Sequence, residues 1–254
     1  MLALDDGLTA PDDLACSQVP QRREDPLRSQ ITVFHLATHT SGIEDAEADG
    51  KPHNQLTGWK GEFWTQDPNP FLTARDEAPV LFEPGTRSKY SDPGMTMLSY
   101  CVPAALCDDP QSDLRTLRTE RLIDPIGVPR GEWSMSYGRS FDTDGLTLYA
   151  NWDGQQLVSP EMVDLVTADQ GVPTEEQGEP ARRCGLGWWQ NANGAVAALP
   201  RDAFFGSGAG NQRLLVIPSL DLIVVRNGSE IRPEGHCEGV EDDVLELPLA
   251  TVVD

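Results

Sequence analysis

The last third of the chain carries the feature that most restricts its fold, two apolar runs separated by a turn signal. Residues 204–229 read FFGSGAGNQRLLVIPSLDLIVVRNGS, in which β-branched and aromatic residues are broken by glycine and by Pro218-Ser-Leu-Asp221. Such runs favour strands, and the short break between them favours a tight turn. The sequence therefore predicts antiparallel strands here, preceded by a strand-like run, CGLGWWQN, at residues 184–191.

The preceding part of the chain has helical periodicity instead. Apolar residues at positions 95, 98, 102 and 106 lie on one helix face, after Asp92-Pro93 as cap and first turn. We predict further helices over residues 1–8 with a stop at Asp6-Gly7, from a Thr32 cap to Gly42, over residues 113–129, and from a Ser159 cap, with mostly loop over 9–30 and 44–80 and short helices in the latter. Helices followed by hairpin strands predict an α+β domain, an antiparallel sheet flanked by helices.

Composition limits the possible partners of the chain. Its 254 residues suffice for one large domain, and 41 Asp and Glu against 19 Lys and Arg give a formal charge of -22. Because this charge would repel phosphate, we expect no nucleic-acid partner. The sequence has no apolar run of about 18 residues, so we predict no membrane span. It has no basic segment followed by an apolar one at its start, so we predict no signal peptide. Compartment and oligomeric state stay open.

A histidine pair raises the possibility of a metal site. His35 and His39 are four residues apart, as in helical zinc sites. Such a site needs a glutamate directly after the first histidine, where this chain has Leu36, and only His53 and His236 remain as third ligands. Five scattered cysteines without a C-x-x-C motif add no zinc cluster. We expect no metal and no other cofactor, and histidines that pack and hydrogen-bond.

Three segments in a fixed order carry a specific resemblance. They are ITVFHLATHTSGI at residues 31–43, FEPGTRSKYSDPGMTML at residues 82–98, and the closing hairpin, preceded by LDDGLTAPDDL at residues 4–14. Together they resemble the β-lactamase-related serine hydrolases, which include class C β-lactamases, DD-peptidases and esterases. The resemblance covers most of the chain and implies a single β-lactamase/DD-peptidase-like domain over residues 1–254. It also implies that the histidine stretch is structural, below the active site.

The nucleophile motif of this family is missing from the chain. A serine and a lysine one helical turn apart, S-x-x-K, keep the ammonium within reach of the hydroxyl. No S-x-x-K occurs in the 254 residues, and the nearest lookalike, Thr57-Gly-Trp-Lys60, lies in a loop-like region. In relatives the pair lies on the helix that ends in the segment like residues 4–14. The resemblance therefore implies that it lies upstream of Met1 and that this chain is incomplete at its N-terminus.

The other two motifs of the family are present in altered form. Tyr90-Ser91-Asp92 matches Y-S-N, in which the tyrosine helps to move a proton and the asparagine donates to a substrate carbonyl. An ionised Asp92 cannot donate, which puts that contact in doubt. Gly206-Ser207-Gly208 aligns with K-T-G or H-x-G and lacks the cation, so carboxylate-bearing substrates such as penicillins should bind poorly. The resemblance implies Tyr90 as a catalytic residue and the other five as substrate contacts.

A further departure concerns the helical part of the domain. In relatives, segments like LTLYANW (146–152) and DGQQLVSPEMVDLVT (153–167) are separated by a glycine-rich turn and a helix, whereas here they are directly joined. This apparent deletion at Trp152-Asp153 predicts a shortened helical subdomain with an uncovered face.

Two functions remain open from the sequence. The first is a serine hydrolase that acts on a small ester, amide or peptide-like substrate through an acyl-serine, with Tyr90 in general acid/base work. Without the Ser-Lys pair, the chain as given is expected to be inactive. The alternative is a non-catalytic relative of the fold that binds a ligand or a protein partner. Relatives are often exported, but these residues show no export signal.

Overall fold

The computed structural model describes residues 2–48, 51–106, 114–127, 140–143, 146–149, 160–171, 183–208 and 212–226. Its α-helices are α1 (Leu2–Asp5), α2 (Ala15–Gln18), α3 (Val33–Ala37), α4 (Gly58–Thr65), α5 (Pro70–Leu72), α6 (Asp92–Ala105), α7 (Leu114–Arg118) and α8 (Pro160–Thr167). Its strands are β1 (Ser140–Thr143), β2 (Leu146–Tyr149), β3 (Arg183–Cys184), β4 (Trp189–Gln190), β5 (Phe204–Gly208), β6 (Gln212–Ile217) and β7 (Leu222–Arg226). None of the described helices is long and apolar enough to cross a membrane.

Five of the described strands form an antiparallel sheet in the order β3-β4-β5-β6-β7, and β1 pairs with β2 separately. The predicted tight turn is present as a 3-10 turn at Pro218–Leu220, followed by Asp221 in the left-handed region with φ 48°. Alternate residues of β6, including Leu215 and Ile217, are buried, as period-2 side chains require. The predicted antiparallel strands and the α+β class are confirmed.

Three apolar clusters hold the described part of the chain together, one beneath the sheet, one in the helical part and a third around Val166 and Leu186. Beneath the sheet, Phe205, Leu215 and Ile217 pack with apolar residues of the loop between β4 and β5. In the helical part, α6 contributes Met97 and Tyr100, which are almost completely buried. Burial of each such side chain stabilises the fold by about 1.5–3 kcal/mol before the entropic cost of ordering.

The predicted long helix is present as α6, but its cap differs from the prediction. Ser91, not Asp92, is the N-cap, because its hydroxyl accepts the N–H of Gly94 at 2.9 Å. Asp92 and Pro93 are the first two helical residues, where a carboxylate favours the positive end of the helix and proline loses no hydrogen bond. This one-residue difference leaves the Asp92 side chain available for contacts outside the helix.

The helix of the histidine stretch begins as predicted and ends early. Thr32 caps α3 and forms a capping box with His35, whose Nδ1 accepts the N–H of Thr32. The helix ends at Ala37 rather than Gly42, because His39 takes a left-handed conformation with φ 57°. Gly42 also has positive φ, and a Cβ at this position would collide with the carbonyl oxygen of Phe82, which leaves no room for a side chain.

Several other predictions are resolved by the described residues. Helix α1 and the turn at residues 6–7 are confirmed, and so are short helices within 44–80. Residues 9–30 are not only loop, since they include α2 and two 3-10 turns. The predicted helix over 113–129 is present as α7, continued by a π-helical turn at Thr119–Ile123. Ser159 and the apparent deletion at Trp152-Asp153 lie outside the described residues.

Candidate active site

The turn at residues 90–92 is fixed by the chain segment that follows α3. The backbone N–H of Ser91 donates to His39 Nδ1 at 3.4 Å, and that of Asp92 donates to Asp45 Oδ1 at 3.0 Å. Because two successive amides of the turn are bonded to side chains from one distant segment, the turn has a defined orientation. His39 therefore has a structural role, as the sequence resemblance implied.

Ser91 faces the interior and supports the turn. It is 1% exposed, and besides accepting the amide of Gly94 its hydroxyl donates to the carbonyl of Glu44 at 3.5 Å. The first hydrogen bond caps α6, and the second links the turn to the segment that follows α3. The predicted contact of Ser91 with a substrate stays a prediction.

Three rings lie together at the mouth of this turn. The ring of Tyr90 is 4.6 Å from that of His39 and 6.4 Å from that of Trp189 on β4, measured between centroids. The rings of His39 and Trp189 are nearly parallel, 6.0 Å apart. His39 is buried, which lowers its pKa to about 4 and keeps the imidazole neutral at pH 7, whereas Tyr90 is 44% exposed. The phenol of Tyr90 is thus presented to solvent from an ordered aromatic support.

The phenol of Tyr90 donates a hydrogen bond to Asp92 Oδ1 at 2.9 Å. Partial burial against the neighbouring rings, and then the negative charge of Asp92, raise the pKa of Tyr90 above its usual value. Burial, and then the nearby carboxylate of Asp45, raise the pKa of Asp92 to about 6. Burial also raises the pKa of Asp45. The arrangement couples a neutral phenol to a carboxylate that can exchange a proton near neutral pH.

Lys60 lies near Asp45, but its ammonium contacts other residues. Its ammonium is 2.9 Å from Glu44 Oε1 and donates to the carbonyl of Glu47 at 2.8 Å. Thr57, which stands where S-x-x-K has its serine in the similar segment Thr57–Lys60, is the N-cap residue of α4. These contacts give the ammonium a carboxylate and a carbonyl as partners at the edge of the site.

The third predicted motif forms the exposed end of β5. Gly206 is half-buried, and Ser207 and Gly208 are exposed. β4 pairs with β5 only at Phe204 and Phe205, so the described part of β4 ends before the motif does. On the other side, residues 206–208 are paired with β6. The β4-facing edge of the motif therefore carries backbone N–H and C=O groups and no charged side chain.

Trp189 connects the two parts of the candidate site. It stacks on Tyr90 and His39, and within the sheet it lies directly opposite Phe205, next to the glycine motif. The sequence did not single out Trp189 or Asp45 as site residues. Trp189 lay within a predicted strand, and Asp45 was one of many acidic residues in a predicted loop, so neither carried a local signal.

Comparisons with known proteins agree with this architecture. The family model described as Beta-lactamase matches residues 1–228. No curated protein matches the chain. Among solved structures, a simvastatin synthase from Aspergillus terreus aligns with a TM-score of 0.62 and 18% identity, covering 96% of this chain and 77% of the other.

Two bacterial structures show the same similarity. A penicillin binding protein from Bacillus halodurans aligns with a TM-score of 0.57 and 15% identity, covering 98% of this chain and 80% of that one. A beta-lactamase from Mycobacterium bovis aligns with a TM-score of 0.54 and 18% identity, covering 98% and 81%. At these identities the solved structures support the fold, and the family match supports the membership. The chain belongs to the beta-lactamase family and has its α+β fold.

Proposed function

We propose that the Tyr90 turn and the exposed end of β5 form the acyl-binding site of a serine hydrolase, which acts on a small ester or amide. The observation that carries the proposal is the exposed phenol of Tyr90, supported by His39 and Trp189 at the N-terminus of α6. The family match adds to it, since the family's chemistry proceeds through an acyl-serine. In this proposal Tyr90 works in acid/base catalysis, while Asp92 and residues 206–208 contact the substrate.

We also propose that residues 1–254 alone do not turn over a substrate. Acyl-enzyme formation needs an activated serine, and this sequence contains no S-x-x-K. Lys60, the lysine of the lookalike, is engaged with Glu44 and Glu47. An active form would therefore require the Ser-Lys pair from residues outside this sequence.

We further propose a preference for substrates without a carboxylate. Asp92 and Asp45 place negative charge beside Tyr90, and the β5 motif offers no cation of its own. A substrate carboxylate would meet repulsion on one side and only backbone donors on the other. Short-chain neutral esters fit this site better than penicillins.

A non-catalytic binding role is the second candidate. It is favoured by the hydrogen bond between Tyr90 and Asp92, which occupies the phenol proton within the chain, and by the missing Ser-Lys pair. A fold can persist after its chemistry is lost. In this role the site would hold an acyl ligand or a protein segment without cleaving it.

One experiment separates these functions. The coding sequence upstream of Met1 is read for an in-frame S-x-x-K, and the given and extended chains are assayed with a chromogenic short-chain ester and a cephalosporin. Ester turnover by the extended chain, lost in Tyr90→Phe, is the expected result. Turnover by residues 1–254 that survives Tyr90→Phe would overturn the proposed site. If neither an upstream motif nor any turnover is found, the binding role replaces the hydrolase.

A further inference from the structure

The third residue of the Tyr90 turn gives this site a group that the matching motif of its relatives does not usually have. The family pattern has asparagine there, an amide that donates, whereas Asp92 accepts a hydrogen bond from Tyr90. A carboxylate can take up a proton, which an amide at this position cannot do. The direction of the hydrogen bond determines where a proton taken up by the phenol can go next.

We propose that Asp92 is a positioning residue that holds the phenol of Tyr90 and receives its proton, so that the two side chains form a proton relay. A hydroxyl group that contacts Tyr90 gives its proton to the phenol oxygen while the phenol proton moves to Asp92 Oδ1. The incoming hydroxyl loses an O–H bond, the phenol oxygen exchanges one O–H bond for another, and Asp92 Oδ1 gains one. The negative charge moves from the Asp92 carboxylate to the hydroxyl oxygen, which becomes a nucleophile. This inference rests on the proposed function and extends it.

The geometry of the turn suits such a relay. The phenol oxygen and Asp92 Oδ1 are 2.9 Å apart, within range for transfer along a hydrogen bond. The phenol keeps lone pairs for a second hydrogen bond, and Tyr90 is 44% exposed, so an incoming hydroxyl can reach it. Asp92 is held by its own amide on Asp45 and by its place in the first turn of α6.

The charges around Asp92 match its role as an acceptor near neutral pH. Burial, and then the negative charges of Asp45 and Glu47, raise the pKa of Asp92 to about 6. A proton acceptor is most effective when its pKa is close to the working pH. The pKa of Tyr90 is raised much further, so the phenol passes a proton on and does not remain ionised.

Opposing charges also face this group. His53 lowers the pKa of Asp92, and Lys60 lowers that of Asp45, but each is a smaller influence than burial. His39, which supports the ring of Tyr90, is neutral at pH 7. The balance of these groups leaves Asp92 as the titrating partner of Tyr90 between acid and neutral pH.

The relay can be tested on residues 1–254 without any substrate. The chain has four tyrosines, which are labelled with ¹³C at Cζ and followed by NMR from pH 4.5 to 8.5, the Tyr90 signal being assigned by its loss in Tyr90→Phe. We expect the Tyr90 signal to shift with a midpoint near 6, as Asp92 titrates. Tyr100, buried in the helical core, is the internal reference and should not shift.

Three variants identify the group whose titration shifts the Tyr90 signal. Asp92→Asn should abolish the midpoint, and Asp45→Asn should lower it by about one pH unit, because a neighbouring carboxylate is removed. Asp221→Asn, a matched charge change in the exposed β6–β7 turn, should leave it unchanged. A flat Tyr90 curve in the wild type, or an unchanged midpoint in Asp92→Asn, overturns the relay. Because no substrate is involved, that result leaves the acyl-site proposal intact, which ester turnover tests separately.

Discussion

The two sides of the candidate site are held in place by different kinds of interaction. On the α6 side, the Tyr90 turn is fixed by side-chain hydrogen bonds to His39 and Asp45 and by ring contacts. On the β5 side, residues 206–208 bear only one hydroxyl and are held by backbone pairing with β6. The apolar core under Phe205 anchors the second side.

The two sides therefore differ in how they respond to pH. Groups that titrate, and so change their charge with pH, are found beside Tyr90, where burial lowers the pKa of His39 and raises that of Asp92, disfavouring the charged form of each. The β5 end has no titrating side chain of its own among residues 206–208. Substitutions on the α6 side should therefore alter pH dependence, and those on the β5 side should alter packing or ligand charge preference.

The largest effect is expected from the core that anchors the β5 side. Phe205 is 1% exposed, so Phe205→Ala removes a buried ring and leaves a cavity, at a cost of about 3–5 kcal/mol. Urea unfolding followed by tryptophan fluorescence measures this loss. Ser207→Ala, two residues along the same strand and exposed, should stay within about 0.5 kcal/mol of the wild type. A cost below about 1 kcal/mol for Phe205→Ala would mean that the sheet is not anchored there.

On the α6 side, the next effect comes from the buried imidazole of His39. Its folded pKa of about 4 lies below its usual 6.5, so the unfolded chain takes up a proton first as the pH falls. The stability that this group contributes is complete above about pH 6.5 and is lost toward pH 4, amounting to about 3 kcal/mol.

His39→Asn isolates this contribution, because asparagine tolerates the left-handed backbone at this position. Urea unfolding at pH 7 and pH 4 should show that the wild type loses about 3 kcal/mol more than the variant. Equal losses in both proteins would show that His39 is not buried as a neutral ring.

Asp92 should give a smaller pH effect of the opposite sign. Its folded pKa of about 6 lies above its usual 3.8, so the folded state binds the proton more tightly, and stability falls as the pH rises from about 4 to about 6. Discounted for partial exposure, this amounts to roughly 1–2 kcal/mol. Between pH 4 and pH 7 the wild type should therefore lose that much more free energy of unfolding than Asp92→Asn, as measured by urea unfolding. The exposed Asp221→Asn is the control, and an equal difference there would refute a local origin.

Features with a local sequence signal were predicted well. The antiparallel strands followed from β-branched and aromatic runs and from the turn at residues 218–221, and the Thr32 cap followed from residue preference. The cap of α6 was placed one residue late, since Ser91 and Asp92 are both good caps. The early end of α3 had no signal, because a left-handed histidine is uncommon and depends here on contacts made elsewhere.

The parts of the site that were missed depend on contacts over long sequence distances. Asp45 meets Asp92 across 47 residues, and Trp189 comes from a different strand region altogether. Neither residue type is unusual where it stands in the sequence. The Tyr90 motif could be located from its resemblance to the family, but its hydrogen-bonded state required the three-dimensional arrangement.

The smallest effect tests the charge preference of the β5 side by restoring a cation. Gly206→Lys places a lysine where the family motif has one, and a Cβ there would lie 3.8 Å from Trp188, an ordinary contact. Binding of a cephalosporin to residues 1–254, measured by ligand NMR, should tighten about fivefold, as expected for a partly exposed ion pair.

Ser219→Lys adds the same charge in the exposed β6–β7 turn, where Ser219 donates hydrogen bonds to Asp202, and should not change that affinity. Equal tightening in both variants would mean that only the net charge of -22 matters. Tightening in Gly206→Lys alone would mean that the end of β5 still faces a ligand carboxylate. The two sides of the site would then differ in chemistry while facing the same ligand, with proton transfer at Tyr90 and, in the variant, charge recognition by the lysine introduced at Gly206.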